Sequence, residues 1–343
     1  MTHIDIIVPL YNEERLLRKC LDSIFNFELP ENVSIHLFLV DGGSADQTIA
    51  IANEYIRFHD DKHITLINNP KKIQSSAMNI AIKKSSGKYI LRLDAHTIYE
   101  KDYLKHCLET SLRTDADNVG GILDTMPGAS SYGAKVVQAI SSPPFGVGNS
   151  SFRVGANEGP VDTVPFGFFK RSIFKKIGYF DERLVRAQDY EFNSRIISSG
   201  GTVWLNPKIK GKYFNQAKLS DFYKKIFFLD APYNSYMWYL APRTFSFRHS
   251  ITSFFASGVI IGFILSYFSY LMFSMYIAIL TIYFSLGIIS SIHLAIRSKN
   301  IIHVFLLPFC FFCFHFVHGV GVLSGLLNLL LRKSPVNMAN LAD

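Results

Sequence analysis

Two long segments in the last third of this chain carry no charged side chain. Residues 251–296 comprise 46 positions, and residues 301–331 a further 31, without a single Asp, Glu, Lys or Arg. One bilayer crossing needs about 20 apolar residues. The sequence therefore predicts a membrane region at 250–331 with about three helices, followed by a tail at 332–343.

Basic residues are concentrated directly before this region. The formal net charge of the chain is +8, yet residues 1–207 are nearly neutral, whereas 208–249 hold eight basic side chains against two acidic ones. Lys and Arg beside a span are attracted to an anionic leaflet. Nucleic acid is a poor partner for a chain with membrane spans. We predict an interfacial segment at 216–249 that carries a belt of aromatic side chains; an amphipathic core helix is the alternative. The belt would consist of Tyr233, Tyr236, Trp238, Tyr239, Phe245 and Phe247.

The charges also predict an orientation. Arg243 and Arg248 precede the first span, and Arg297 and Lys299 close the first hairpin. Basic flanks remain on the cytoplasmic side, so the first part of the chain is expected in the cytoplasm of a bacterium, attached to its inner membrane by several spans. No signal peptide is expected, because the first residues begin a strand pattern. A third crossing would put the next basic pair outside, so 301–331 is either a third span or partly re-entrant.

The four cysteines show no disulfide framework, which suits a reducing compartment. Cys310 and Cys313 stand near His315 and His318, a spacing that could suggest a metal site. Since free Cys behaves as a small hydrophobe, packing between spans is the expected role of this group.

Strand and helix patterns alternate over the first hundred residues. Short apolar runs predict strands, and helical spacing of apolar residues predicts the helices between them. The predicted strands are 4–10, 35–40, 64–67 and 89–93. The predicted helices are 13–25, a second that follows a cap at Ser44 or Asp46 and ends at Phe58, and 75–84. This rhythm is typical of an α/β fold with a mostly parallel sheet, here at 1–215. The Gly, Pro and Ser content of 115–170 predicts mobile loops.

Acidic residues follow the predicted strands. In such sheets the ligand binds beyond the carboxyl ends of the strands. Asp41 comes directly after the second strand, where its carboxylate could accept a hydrogen bond from a uracil imide or a ribose hydroxyl. A simple turn and helix cap would use the same residue types, and this alternative stays open.

Two further patterns indicate chemistry. Asp94 and His96 are alternate residues, which an extended segment would point the same way, and this pair suits Mn²⁺ or Mg²⁺ beside a diphosphate. A capped loop is the alternative. Asp189 opens a helix predicted to run to Ile197 and could act as a general base or only as a helix-dipole acid. Glu191 is the rival base.

Four motifs in this order and spacing resemble the family-2 glycosyltransferases of GT-A fold. They are VPLYNEE at 8–14, VDGGSADQT at 40–48, LDAH at 93–96 and QDYEF at 188–192, and the resemblance covers residues 3–215. The DAH form followed by membrane segments resembles the bacterial exopolysaccharide branch typified by succinoglycan glucosyltransferases. The resemblance implies a nucleotide-diphospho-sugar transferase fold, with a Rossmann-like sheet and α-helical transmembrane segments after it.

The resemblance also implies roles for matching positions. Donor-binding residues would be Pro9, Tyr11 and Glu13 around the uridine, Asp41 on the base, Asn79, and Asp94 on the ribose and the metal. His96 would complete the metal site, and Asp189 would be the catalytic base. The chain departs from the family pattern at Gln188, where an acid is usual, and at Met78, where an Arg is usual; Arg92 could replace that Arg.

The implied activity is inverting transfer of one sugar. A hexose would pass from a UDP-sugar to a polyprenyl-diphosphate-linked saccharide in exopolysaccharide, O-antigen or capsule biosynthesis, with a divalent metal. The QxxRW signature of processive synthases and the GxGxxG of dinucleotide enzymes do not occur. Two alternatives stay open: a transferase that uses bare polyprenyl phosphate, and a catalytically silent membrane subunit of a polysaccharide export complex. The sequence does not indicate the sugar, the linkage or the oligomeric state.

Overall fold

The structure is a computed structural model, and it describes residues 1–59 and 63–339. Its strands are β1 (Thr2–Leu10), β2 (Val33–Asp41), β3 (Ile64–Asn68), β4 (Tyr89–Arg92), β5 (Thr97–Tyr99), β6 (Asn118–Met126), β7 (Gly159–Pro160), β8 (Phe168–Lys170) and β9 (Val203–Phe214). Its first nine helices are α1 (Leu17–Phe25), α2 (Thr48–Phe58), α3 (Gln74–Lys84), α4 (Tyr103–Thr114), α5 (Tyr132–Ile140), α6 (Pro144–Val147), α7 (Ser151–Val154), α8 (Arg171–Ile177) and α9 (Gln188–Ser198).

The later helices follow β9. They are α10 (Leu219–Lys225), α11 (Ala231–Leu240), α12 (Phe247–Leu265), α13 (Tyr270–Ser298), α14 (Ile302–Leu330) and α15 (Pro335–Ala339). A π-helical turn at Ile226–Asp230 joins α10 to α11, and a 3₁₀ turn at Pro242–Thr244 precedes α12.

The described strands form one mixed sheet. Its order is β3-β2-β1-β4-β8-β6-β9-β5, with β7 paired to β9. The first four strands run parallel, as predicted, whereas the pairings of β8 with β4 and β6 are antiparallel. Leu10 pairs with Asp41 in the register of β1 and β2, so these two strands end side by side.

The helix α1 covers this sheet with an apolar face. Leu17, Cys20, Leu21 and Ile24 recur at helical spacing, and all four are buried, so burial of this face stabilises the helix on the sheet. The helix begins at Leu17, later than the predicted residue 13. The reason is a turn before it, in which Asn12 adopts the left-handed region with φ 55°.

The prediction of loops in 115–170 is correct for the turns at 127–131 and 155–158, which lie outside helices and strands, but not for the whole stretch. This stretch contains the nine-residue strand β6 and the helix α5. Gly120 and Gly121 resemble loop residues in the sequence, but they lie inside β6. A Cβ on Gly121 would lie 1.9 Å from the carbonyl oxygen of Ile209, so glycine is needed here for close strand approach.

The chain divides into two compact units. The first comprises residues 1–124 and 155–214, and the second comprises 125–154 together with the residues from 215 onward. The predicted domain 1–215 ends at nearly the same place as the first unit. It differs in that residues 125–154 group with the membrane region.

Three helices of the second unit are long and apolar enough to cross a membrane: α12, α13, and α14 extended to Asn337. The chain between α12 and α13 lies at 266–269, several residues before the predicted position near 273. The helix α14 continues through Pro308 as one uninterrupted helix, which differs from a re-entrant segment.

An apolar cluster holds α5 and α10 against α14 inside the second unit. Its buried members come from residues far apart in the chain: Val136, Val137, Ile140, Phe222, Ile226, Leu307, Cys310, Phe311 and Phe314. The segment 125–154 is therefore part of the packing of the membrane helices.

The predicted aromatic belt divides into two groups. Tyr233 and Tyr236 are buried in the chain, as are most residues of α11, so for this helix the core-helix alternative is correct. Tyr239, Phe245 and Phe247 are exposed, and their place in a membrane belt stays a prediction. Tyr233 and Tyr236 are buried because α11 packs along α14.

The histidines of α14 form hydrogen bonds with neighbouring segments of the second unit. His315 Nδ1 lies 2.8 Å from the Tyr283 hydroxyl, and His318 Nδ1 lies 2.7 Å from Thr252 Oγ1. The cysteines Cys20, Cys107, Cys310 and Cys313 are free thiols. These bonds are the packing role that the sequence predicted for His315 and His318.

Candidate active site

The carboxyl ends of β1 and β2 form one side of the candidate site, which lies in the first unit. Pro9 and Leu10 complete β1 beside Asp41. The ring of Tyr11 lies against Gly42, where an added Cβ would be 3.3 Å from Cδ2 of the ring. Tyr11 is 52% exposed although it is aromatic, so its ring is available to a planar ligand.

Asp41 shapes the turn that follows β2. Its Oδ2 accepts hydrogen bonds from the amides of Gly43 (2.7 Å) and Ser44 (3.0 Å), and Oδ1 accepts one from Ser44 Oγ at 2.6 Å. Ser44 Oγ in turn accepts from the amide of Asn12 at 2.9 Å. Asp41 therefore does form the turn that was the alternative interpretation of this motif. A carboxylate has about four acceptor sites, so contact with a base is still compatible with these bonds.

Lys72 is a neighbour of this turn that the sequence did not indicate. A Cβ placed on Gly43 would lie 3.7 Å from Nζ of Lys72. The side chain is exposed, and its backbone is left-handed with φ 58°. An ammonium group at this position can neutralise a nucleotide phosphate.

Asp94 accepts two hydrogen bonds on one oxygen. Its Oδ1 lies 3.0 Å from Arg92 Nη2 and 2.9 Å from Gln74 Nε2. Gln188 donates to Gln74 Oε1 at 2.6 Å, which links the start of α9 to Asp94. Burial disfavours ionisation of Asp94, but Arg92 and His96 outweigh it and hold the pKa of Asp94 below its usual value.

His96 is paired with Glu13. Its Nδ1 lies 3.1 Å from Oε1 of Glu13, and the ring of Tyr213 contacts it edge-on at 5.1 Å. The amide of Glu13 donates to Thr48 Oγ1 at 2.7 Å, which fixes the turn that carries the carboxylate. Burial alone would lower the pKa of His96, but the hydrogen bond that the ring donates to Glu13 raises it to about 9.

Asp94 and His96 do not lie on an extended strand, and the predicted alternation is wrong. β4 ends at Arg92, and residues 95–96 form a turn, in which the amide of Thr97 donates to the carbonyl of Asp94 at 3.3 Å. The turn still leaves the two side chains close enough for each charge to affect the other's pKa.

These residues fit a divalent ion held partly by a diphosphate. A catalytic Mg²⁺ is typically bound by one or two protein ligands plus substrate phosphates. The contact of His96 Nδ1 with a carboxylate is the outer contact usual for a metal-bound imidazole, and a bound ion would replace the proton that Nε2 carries at this raised pKa. Asp94 would supply the oxygen ligand.

Asp189 lies in the first turn of α9, as predicted, and forms an ion pair with Arg92. Arg92 is buried and contacts both Asp94 and Asp189. Burial raises the pKa of Asp189 above its usual value, and Arg92 opposes that rise. A carboxylate with a raised pKa is a stronger base, while its cationic neighbour keeps it near the ionised state.

Glu191 faces a different environment. It is buried, and both its oxygens accept hydrogen bonds from Nε of Arg195, at 2.8 and 3.0 Å. Arg195 also donates to the carbonyl of Ile177 at 2.8 Å. This ion pair within the body of the unit favours Asp189 over Glu191 as the base.

Asn79 is buried and hydrogen-bonded within the first unit. Its Nδ2 donates to the Phe180 carbonyl and to Glu182 Oε1, each at 2.9 Å, and its Oδ1 accepts from the Phe180 amide at 3.0 Å. Because these bonds use both ends of a buried amide, Asn79 holds the chain at 180–182. Contact of Asn79 with the donor stays a prediction.

The mixed sheet with its parallel half, which has acidic residues at the strand ends, places the chain in the class of GT-A glycosyltransferases. Residues 5–178 match the profile described as "Glycosyl transferase family 2". The chain belongs to this family.

Two curated proteins extend the comparison. The chain is 30% identical over 342 residues, covering 95% of itself and 98% of the other, to a protein of Methanococcus voltae named dolichyl N-acetyl-alpha-D-glucosaminyl phosphate 3-beta-D-2,3-diacetamido-2,3-dideoxy-beta-D-glucuronosyltransferase. It is 29% identical over 216 residues to the succinoglycan biosynthesis protein ExoA of Rhizobium meliloti, covering 62% of this chain and 64% of that protein.

One solved structure resembles most of the chain. It is the mannosyltransferase PcManGT of Pyrobaculum calidifontis in complex with GDP-Man and Mn²⁺, with a TM-score of 0.59, 16% identity, and coverage of 96% of this chain and 87% of that one. At this identity the likeness shows the fold alone, which is that of a GT-A glycosyltransferase.

Proposed function

We propose that this glycosyltransferase is an inverting, divalent-metal-dependent enzyme that transfers one sugar from a UDP-sugar to a lipid-linked saccharide. The observation that carries this proposal is Arg92, which contacts both Asp94 and Asp189. The guanidinium of Arg92 therefore brings Asp94, which is proposed to bind the metal beside the diphosphate, close to Asp189, which is able to accept a proton. Transfer between a nucleotide sugar and an alcohol needs both functions near one anomeric carbon.

The donor would bind along the strand ends. Tyr11 offers an exposed ring for the uracil, Asp41 offers carboxylate acceptors for the base or ribose, and Glu13 orients His96. Asp94 and His96 would hold the metal ion, which neutralises charge on the departing diphosphate. Lys72 supplies a further positive charge on this side.

The acceptor hydroxyl would meet Asp189. Asp189 accepts its proton as the oxygen attacks the anomeric carbon, and the bond from that carbon to the UDP oxygen breaks on the opposite face. The configuration is therefore inverted, and UDP leaves with the electron pair. Arg92 keeps the carboxylate ionised before the transfer and balances the charge of Asp94.

The acceptor class is supported by the membrane helices and by the relative from Methanococcus voltae. That protein's name describes an acceptor with a sugar already on a lipid phosphate, which favours a saccharide-bearing lipid over bare polyprenyl phosphate. We propose a polyprenyl-diphosphate-linked acceptor in bacterial exopolysaccharide, O-antigen or capsule synthesis. Arg297 and Lys299 favour an active site on the cytoplasmic side of the inner membrane. A catalytically silent subunit is disfavoured, because hydrogen bonds or ion pairs hold the side chains of Asp94, His96 and Asp189 in place.

The test uses the full-length protein in detergent with a panel of UDP-sugars and Mn²⁺. We expect slow hydrolysis of one UDP-sugar, and faster transfer to a polyprenyl-diphosphate monosaccharide than to polyprenyl phosphate. The product should have the anomeric configuration opposite to the donor's, as read by NMR. Faster transfer to polyprenyl phosphate would favour the alternative transferase, and full activity in excess chelator would contradict the metal.

A further inference from the structure

A second group of metal-ligating side chains lies at the other end of the same strands. His3 and Asp5 are near the start of β1, and His36 is near the start of β2. One ligand atom from each of these three residues lies within 4.8 Å of the other two. Since His36 and Asp41 are five residues apart on one strand, this group is about 17 Å from the proposed nucleotide site.

The strand register brings these side chains together. In the pairing of β1 with β2, His3 stands opposite Ser34, and Asp5 stands opposite His36. Alternate residues of a strand point to the same face of the sheet. The two histidines and the aspartate therefore share one face, held by parallel strands of the sheet and not by a loop.

Each histidine has one ring nitrogen engaged by a hydroxyl. His3 Nδ1 lies 2.9 Å from Ser34 Oγ, and His36 Nε2 lies 2.8 Å from Thr65 Oγ1. A metal-bound imidazole usually has its other nitrogen held in this way, because the outer contact fixes the tautomer and the ring orientation. The remaining nitrogens, His3 Nε2 and His36 Nδ1, are then the ligand atoms.

Asp5 supplies the second, independent observation. Its side chain is fully buried, and Oδ2 accepts hydrogen bonds from the amides of Ser86 (2.9 Å) and Gly87 (2.5 Å). Its Oδ1 is buried without a hydrogen bond among the described residues, although it lies 3.2 Å from His3 Nε2. Oδ2 also pairs with Arg171, whose Nη2 lies 3.4 Å away, so Oδ1 is the oxygen that is open to a ligand. Ligands of a tetrahedral zinc ion are about 3.3 Å apart, so Oδ1 and His3 Nε2 already have that spacing.

We propose that His3, Asp5 and His36 bind a Zn²⁺ ion, at a site separate from the proposed catalytic metal. Two imidazoles and one carboxylate form a nitrogen-rich ligand set that suits zinc, whereas Mg²⁺ and Ca²⁺ prefer oxygen ligands. The ring of His63 lies 5.6 Å from that of His36 and is near enough to compete with water for the fourth position. The ion joins β1 to β2 and, through Asp5, to the chain at 86–87, so it stabilises the sheet and takes no part in transfer.

The test uses the full-length protein with the catalytic metal site removed by Asp94→Asn together with His96→Gln. Zn²⁺ is titrated against a chromophoric chelator, and Co²⁺ serves as the optical probe of coordination. We expect one Zn²⁺ per chain, and a loss of affinity of more than about 100-fold in His3→Gln and in His36→Gln, since even an outer contact is worth 10–100-fold. The matched control is His106→Gln, because His106 also contacts two carboxylates, those of Asp102 and Glu109; it should bind Zn²⁺ unchanged.

A second pair of variants covers the case in which a histidine variant fails to fold. Ser34→Ala and Thr65→Val remove only the outer hydroxyls, and each should weaken Zn²⁺ binding by about tenfold while the Co²⁺ spectrum keeps its tetrahedral intensity. Zn²⁺ should also raise the melting temperature of the parent protein but not that of His3→Gln. The proposal is overturned if the protein without Asp94 and His96 binds no Zn²⁺, or if all four variants bind it as tightly as their parent.

Discussion

Glu13 Oε1 lies 3.1 Å from Nδ1 of His96, although 83 residues separate the two in the chain. The contact joins the end of β1 to the turn after β4. It explains why two motifs that look independent in the sequence belong to one site. A carboxylate behind an imidazole fixes which ring nitrogen faces the metal.

Glu13→Gln should weaken Mn²⁺ binding by about 10–100-fold, the usual effect of losing an outer contact. The loss should appear in the metal concentration needed for half-maximal transfer, with a smaller change at saturating Mn²⁺. Glu14→Gln is the matched control, because Glu14 is adjacent but bonds to the amide of Gln47. Equal effects of the two substitutions would contradict the role of Glu13.

Asp189→Asn should lower kcat by about two to four orders of magnitude, the usual contribution of a positioned base. Binding of the UDP-sugar, measured by calorimetry, should change little. Glu191→Gln should instead reduce thermal stability, since Glu191 pairs with Arg195 inside the unit. If Glu191→Gln abolished transfer in a folded protein while Asp189→Asn did not, the assignment of the base would be wrong.

The parallel half of the fold was predictable because its signals are local. Apolar runs and helical spacing placed β1 to β4 and α1 to α3 within a few residues of their bounds, and the family motifs marked the strand ends. The antiparallel half of the fold was not predictable from local signals. Gly121, for example, is required by its contact with Ile209, and no local pattern reveals a partner 88 positions away.

The candidate site likewise contains residues that the sequence indicates and residues that it does not. Tyr11, Asp41, Asp94 and Asp189 stand in motifs and could be found from the sequence. Gln74 could not, since its importance lies only in its bonds to Asp94 and Gln188. Asn79 stands at a motif position too, but its tertiary hydrogen bonds to residues 180–182 are visible only in the structure.

Arg92→Met should destabilise the first unit by about 3 kcal/mol, because it leaves two carboxylates without their shared cation. Adding Asp189→Asn to this variant should recover part of that loss, since one of the uncompensated charges is then removed. Thermal unfolding of the two single variants and the double variant measures the coupling between them. Strictly additive losses would contradict an energetic role for the ion pair.

The packing of α14 predicts a contrast between neighbouring phenylalanines. Phe311 is fully buried in the cluster with α5 and α10, whereas Phe309 is 64% exposed on the same helix. Phe311→Ala should cost about 3 kcal/mol of stability in detergent, the lower end for a buried aromatic residue, and Phe309→Ala much less. Equal melting temperatures would show that the cluster does not support the fold.

The last prediction concerns the basic residues before the first span. Lys224 and Arg243 are exposed in the second unit, and we expect them to contact anionic lipid, at roughly 1 kcal/mol per charge. The double variant Lys224→Gln with Arg243→Gln should stay in the membrane fraction, yet transfer more slowly to a lipid-linked acceptor in anionic liposomes than the unmodified protein does. Transfer to a short soluble acceptor should be nearly unchanged. The control pair is Lys19→Gln with Lys84→Gln, which removes two exposed charges from the first unit. Equal losses on both acceptors would mean that Lys224 and Arg243 serve folding or donor binding.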